Sequence, residues 1–251
     1  MSYCIVIPNY NHTILLDSFI GSLSRFQLPV IMVDDGSDVK SSIYFDTLVT
    51  QFNYLTLIKH QTNQGKGGAV QTGLKAAFRL GYSHALQIDA DGQHDINDIE
   101  KLINVSKQKP LALISGQPIY DASVPIHRYY ARNITHFWVW IETLSFHIKD
   151  TMCGYRVYPL VSTLKLIDEV PLGKRMDFDI EIMVRLFWRK VEVFFIPTAV
   201  DYPEHGISHF KALDDNILIS WLHTRLVFGM FIRSPFLLYR NLRSAIKSLF
   251  L

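Results

Sequence analysis

The sequence predicts an α/β protein with a mostly parallel sheet, helices on its flanks and a helical extension at the C-terminal end. Three observations lead there. Through the first half, short apolar runs alternate with segments of helical period, the pattern of βαβ units. Two of those runs end in paired acids, Asp34-Asp35 and Asp89-Ala-Asp91. Beyond residue 212 the character changes: no acid follows Asp215, while Arg225, Arg233, Arg240, Arg243 and Lys247 do.

The elements follow in order. Tyr3–Pro8 is an apolar run fit for a buried strand, and Ile14–Phe26 reads as a helix. Pro29–Val33 is a strand and Ser41–Gln51 a helix; Tyr54–Lys59 a strand and Gly67–Leu80 a helix. His84–Ile88 is a strand, Asp95–Lys107 a helix and Leu111–Ser115 a further strand. The second half is less regular. Ile126–Ile148 is helical, and its aromatic stripe with Trp138 and Trp140 reads as core. Asp177–Arg189 is a helix and Val191–Pro197 a strand. Past residue 212, Pro235 is expected to divide two helices. In the last one, Leu238, Leu242, Ile246 and Leu249 fall on one side and Arg240, Arg243 and Lys247 on another. The domains expected are 1–211 and a basic amphipathic tail, 212–251.

Composition narrows the class. The chain has 251 residues, 49% hydrophobic and 19% charged, enough for one sizeable core. A net charge of +2 argues against a general nucleic-acid binder. Cys4 and Cys153 form no disulfide framework, no signal peptide is evident, and no run of about 18 apolar residues marks a membrane span. The expectation is a cytoplasmic protein. The tail reads as an interfacial membrane anchor, or as a helix docked on its own domain or on a second subunit.

The stretch Leu86-Gln-Ile-Asp-Ala-Asp-Gly-Gln-His94 carries the chemistry. A strand that runs into acids puts them at the carboxyl rim of a parallel sheet, where open α/β folds bind ligands. Mg²⁺ or Mn²⁺ takes oxygen ligands at such a place, one or two carboxylates plus substrate phosphates. Asp89 and Asp91, with Gln93 at the same spacing, therefore point to a metal-bridged nucleoside diphosphate. An Asp-X-Asp triplet also serves as a helix cap or solvated turn; the second acidic strand end, Val33-Asp-Asp-Gly-Ser37, favours a shared crevice.

Four motifs occur in order: Ile7-Pro-Asn-Tyr-Asn11, Val33-Asp-Asp-Gly-Ser37, Asn63-Gln-Gly-Lys-Gly-Gly-Ala69 and Asp89-Ala-Asp-Gly-Gln93. Together they resemble the family-2 glycosyltransferases of GT-A fold, a Rossmann-like nucleotide-binding sheet, closest in style to the dolichyl- and polyprenyl-phosphate sugar transferases. The resemblance is specific over roughly residues 3–118 and looser through Cys153-Gly-Tyr-Arg156 and Phe178-Asp-Ile-Glu181. It implies nucleotide-binding roles for Pro8, Tyr10, Asp34, Asp35, Gly65, Lys66, Asp89 and Ala90, and metal ligation by Asp89, Asp91 and Gln93. A base is implied where relatives carry a Glu-Asp pair; here Met176-Asp177 stands there, so Asp177 comes first and Asp179 second. Asp177 also suits a helix cap, and an acceptor that is already an anionic lipid phosphate needs no strong base.

Arg156 is a candidate for phosphate or acceptor contact and equally for a salt bridge, and Asp150 is a candidate acceptor-site residue. Tyr202-Pro-Glu-His-Gly-Ile-Ser-His209 resembles a loop that closes over the diphosphate, with His205 and His209 where relatives have Arg and Lys. His12 stands where those relatives usually have Glu, which is similar to a stand-alone bacterial subgroup found with aryl-polyene or lipid-acylation pathways. The resemblance implies a metal-dependent, inverting transfer from a nucleotide-diphosphate sugar to a lipidic or membrane-proximal acceptor at the inner membrane face. A non-catalytic nucleotide-sugar-binding protein and a nucleotidyltransferase are the alternatives. The latter would show a Gly-rich, Arg-containing loop after the first strand, which Pro8-Asn-Tyr-Asn-His12 is not.

Overall fold

A computed structural model describes residues 1–119, 126–200 and 212–249. Its centre is a seven-stranded sheet in the order β3-β2-β1-β4-β6-β5-β7. The strands are β1 (Tyr3–Asn9), β2 (Val30–Asp34), β3 (Leu55–Lys59), β4 (His84–Gln87), β5 (Leu113–Ile119), β6 (Arg156–Pro159) and β7 (Val193–Ala199). All neighbours pair parallel except β6, which runs antiparallel to both β4 and β5. The mostly parallel sheet expected from the sequence is therefore the one found.

Side-chain alternation distributes the core over two faces. From β1, Cys4 and Val6 face one layer and Ile5 and Ile7 the other; all four are fully buried. The second layer is covered by α1 (Leu16–Leu23), α2 (Val39–Gln51) and α4 (Asp98–Gln108). The first is covered by α3 (Lys66–Arg79), α5 (Ile126–Thr143), α6 (Leu160–Glu169), α7 (Phe178–Trp188) and α8 (Ala212–Leu249). Continuous burial along β1, β2 and β4 explains why those strands read as unbroken apolar runs.

Three features depart from the sequence expectation. The segment 156–169 holds β6 and α6, neither of them foreseen. The aromatic helix ends at Thr143, not Ile148. And Pro235 lies inside one 38-residue helix instead of dividing two. Proline leaves the carbonyl four residues back without its donor; here the Ser234 hydroxyl donates to that Phe231 carbonyl at 2.9 Å.

The tail is docked. Leu222, Leu226, Met230 and Leu237 are buried in the first layer. The His223 ring nitrogen meets the Glu142 carboxylate at 2.7 Å, and Arg240 donates to the Phe187 carbonyl at 2.7 Å. The opposite side of α8 is exposed and apolar.

Candidate active site

The strand order reverses between β1 and β4, and β4 delivers Asp89 just past its carboxyl end. Such a switch point opens a crevice beyond the strand ends. From the facing side comes Lys66, the first residue of α3. Its capping residue Gly65 has φ 93°, and a Cβ there would lie 2.4 Å from the Lys174 carbonyl oxygen, so only glycine fits. Lys66 Nζ stands 2.6 Å from Asp89 Oδ2 and 3.5 Å from Asp179 Oδ2.

Charge dominates this triad. Burial works against the Lys66 ammonium, but Asp89 and then Asp179 hold its pKa above the ordinary lysine value. Burial alone would raise Asp89; Lys66 and then His94 outweigh it, and the net shift is downward. Oδ1 of Asp89 is buried with no hydrogen-bond partner. Asp91 lies in the turn after β4 and its Oδ1 accepts the Gln93 amide at 3.1 Å. Desolvation by surrounding protein and the Asp89 charge raise the Asp91 pKa. Among the described residues no group of three or more His, Cys, Asp or Glu is assembled as a metal cluster. A pair of carboxylates with one orphaned oxygen nonetheless fits Mg²⁺ or Mn²⁺, which completes its shell with phosphate and water. Gly154 closes the back of the site: a Cβ there would lie 2.8 Å from Lys66 Nζ, 2.9 Å from Gln87 Nε2 and 3.0 Å from Asp89 Oδ2.

The other acidic strand end is occupied by the protein itself. Asp35 accepts the Gln64 and Gly65 amides at 2.9 and 2.8 Å and meets His60 Nδ1 at 2.7 Å, and His60 Nε2 continues to Thr72 at 2.9 Å. Its carboxylate thus sits at the positive end of α3, where an anion is favoured. Asp34 accepts the Ser37 amide at 2.9 Å, three residues on, and so closes the turn after β2. Pro8 is buried in β1 opposite Val33, and Tyr10 is half-buried at the mouth. Gly65 and Ala90 are buried beside the triad, and Gln93 is half-buried on the turn.

The two acids of α7 diverge. Asp179 joins Lys66 and Asp89, whereas Asp177, just before the helix, accepts the Arg175 amide at 3.1 Å. Burial raises the Asp177 pKa. Arg156 does not reach the crevice: it is fully buried, and its terminal nitrogens donate to the Asp179 and Thr151 carbonyls at 2.8 and 2.7 Å. The phosphate or acceptor contact expected of it gives way to a pin between β6, α7 and the loop before β6, because no part of the guanidinium is at the surface. Asp150 is likewise internal. It accepts Arg132 at 2.5 Å and the Met152 and Cys153 amides at 2.9 and 2.8 Å. His205 and His209 lie outside the described residues.

Sequence reasoning missed His60, Gly154 and the Arg132–Asp150 pair. His60 ends β3 as acids end β2 and β4, a signal available in the sequence. Gly154 stands in the Cys153-Gly-Tyr-Arg156 segment, which does not show its contact with Lys66 and Asp89, and Arg132 carries no local signal.

The sheet order and the acids at its switch point define a GT-A glycosyltransferase architecture. Solved structures share that fold. Glucosyl-3-phosphoglycerate synthase from Mycobacterium tuberculosis superposes with TM-score 0.65 at 14% identity, over 91% of this chain and 79% of that one. S. aureus TarS 1–349 in complex with UDP-GlcNAc gives TM-score 0.58 at 15% identity, over 90% and 66%. The model of glycosyl transferase family 2 matches residues 4–172, and the chain belongs to that family. Among its relatives is the dolichyl-phosphate beta-glucosyltransferase of Dictyostelium discoideum, 27% identical over 85% of this chain and 70% of that one. The UDP-N-acetylglucosamine–dolichyl-phosphate N-acetylglucosaminyltransferase of Methanococcus voltae is 27% identical over 81% and 87%. The polyprenol monophosphomannose synthase of Mycolicibacterium smegmatis is 24% identical over 81% and 79%.

Proposed function

We propose that this glycosyltransferase moves a sugar from a nucleoside-diphosphate sugar to a polyprenyl- or dolichyl-type lipid phosphate, with inversion, at the inner face of a membrane. The names of the relatives support the acceptor class. The observation that carries the donor reading is Asp89, placed at the switch point with one oxygen fixed by Lys66 and the other left without a partner.

In this reading an oxygen of the acceptor phosphate attacks the sugar C1, the bond from C1 to the diphosphate oxygen breaks, and its electron pair leaves with the nucleoside diphosphate. Asp89, Asp91 and Gln93 would hold Mg²⁺ or Mn²⁺. Such an ion offsets the charge growing on the departing diphosphate. Lys66 keeps Asp89 ionised and in place, and Asp179 keeps Lys66 in place. Pro8, Tyr10, Asp34 and Asp35 would border the base and ribose. The acceptor oxygen is already anionic, so Asp177 has no proton to take.

The test is direct. The purified protein is incubated with labelled UDP-glucose, UDP-N-acetylglucosamine or GDP-mannose and polyprenyl phosphate in detergent, with Mn²⁺ or with EDTA. Solvent-extractable label from one donor, lost with EDTA, is the expected result. Donor binding with no lipid product would instead support a non-catalytic nucleotide-sugar binder.

A further inference from the structure

The face that α8 turns away from the body is apolar along most of its length. Ile217, Trp221, Phe228, Phe231, Tyr239 and Leu242 are all 60–67% exposed. Their spacings of three, four, seven and eight residues place them on one side of a helix, over roughly 38 Å at 1.5 Å per residue. The opposite side is spoken for by Leu222, Leu226 and Leu237, by the His223–Glu142 contact and by the Arg240 bond to Phe187. The stripe is therefore fixed in orientation and cannot turn inward. It is far larger than the scattered apolar residues of an ordinary surface, and patches of this kind mark interaction sites.

Charge identifies what covers it. Past Asp215 the helix has no acid; Arg243 borders the exposed face, as does Arg225, which lies 3.6 Å from Glu181. A second copy of α8 laid parallel would set basic residues against basic residues, and one laid antiparallel would match charges only at its two ends, Asp214 against Arg243. An anionic lipid surface meets the same arrangement with opposite charge, and Trp, Tyr and Phe are the side chains favoured at the headgroup level. No helix among the described residues is long and apolar enough to cross a membrane, and the polar contacts on its inner side hold α8 flat against the protein. We propose that α8 lies in the plane of an anionic phospholipid surface, with the stripe from Ile217 to Leu242 seated in the headgroup layer. The proposal names the surface that the membrane part of the proposed function requires, yet its test needs no transfer activity.

The full chain is sedimented with vesicles of phosphatidylcholine alone and of phosphatidylcholine with phosphatidylglycerol. The expected result is binding to the anionic vesicles, weakened by salt, with about tenfold weaker partition for the combined Phe228→Gln, Phe231→Gln and Ile232→Gln variant. Those side chains are exposed, so its melting temperature should match the parent. A second readout guards against misfolding. Cys4 and Cys153 are buried, so an environment-sensitive thiol dye on Phe231→Cys reports on that position alone, with Lys40→Cys as the control. A blue shift at 231 and none at 40 is expected. Parent protein left in the supernatant with anionic vesicles, equal sedimentation of parent and triple variant, or a solution dimer that the variant splits would each overturn the proposal. A protein that sediments as expected but transfers no sugar would refute the transferase reading alone.

Discussion

Lys66 Nζ rests 2.6 Å from one oxygen of Asp89, and the other oxygen of that carboxylate has no hydrogen bond. The lysine is thus both the counter-charge of Asp89 and a competitor for any cation that approaches it. Lys66→Met should have opposite effects on two measurements. Metal-free stability in urea should fall by about 2 kcal/mol, less than for a fully buried pair because both side chains keep about a fifth of their surface exposed. Mn²⁺ binding without nucleotide, followed by calorimetry, should tighten. Weaker Mn²⁺ binding in the variant would show that Lys66 organises the carboxylates and does not compete for them.

Gly154 is the second point of control. A methyl group there would press on Lys66, Gln87 and Asp89 at 2.8–3.0 Å. Two of those atoms are already bonded to each other, so neither yields without breaking the pair. Gly154→Ala should lower turnover by about tenfold or more, as misplacing a reacting group by an ångström does, while the melting temperature moves by only a few degrees, roughly the effect of 1 kcal/mol. A variant with normal turnover would mean that the Lys66–Asp89 distance is not critical.

Asp150 sets a pH dependence. Burial would raise it, but the His136 ring, 3.6 Å away, and then the Arg132 guanidinium carry its pKa well below the carboxylate range. A carboxyl group depressed in the folded state stabilises the protein fully above the unfolded value of about 3.9, and that contribution drains away as the pH falls through the folded one. Asp150→Asn should cost about 3 kcal/mol at neutral pH, for Arg132 loses an anionic partner inside the protein. In urea denaturation the gap between parent and variant should hold down to about pH 4 and narrow below it. A gap that widens on acidification would mean the variant acts through something other than this charge.

The parts legible in the sequence were those in which local chemistry breaks a pattern. Acids at Asp34-Asp35 and Asp89-Ala-Asp91 interrupt apolar runs, and these positions lie at the sheet's carboxyl rim because that is where β2 and β4 end. β6 was illegible because it is four residues long and begins on a fully buried arginine, whose cost is met by the carbonyls of Thr151 and of Asp179 on α7. Pro235 misled because its missing donor is replaced by the adjacent Ser234. For α8, helical spacing separates Leu238 and Leu242 from Arg240, but it cannot say which side meets the body. The structure turns Arg240 inward over the Phe187 ring, 4.1 Å from its centroid, and leaves Leu238 and Leu242 exposed.

The two acids that compete for a catalytic role on α7 can be separated by experiment. Asp177 accepts a backbone amide of its own loop, and a Cβ on Gly173 would lie 2.1 Å from its Oδ2, so it faces that loop closely. Asp179 is 3.5 Å from Lys66 and 3.8 Å from the buried Arg156, so it serves both cations. If the acceptor is a lipid phosphate, no proton has to leave it, and Asp177→Asn should retain turnover within about tenfold of the parent, below the 10²–10⁴ range of a lost general base. Asp179→Asn should lose more activity and also stability, since Lys66 and Arg156 then share one less counter-charge. The decisive measurement is the pH profile of turnover. A base at Asp177 would give an acid limb that vanishes in Asp177→Asn, whereas a positioning role for Asp179 changes the height of the profile in its variant and preserves its shape. A fall of a thousandfold for Asp177→Asn, with its acid limb gone, would restore Asp177 as the base and would point to a hydroxyl acceptor in place of a phosphate.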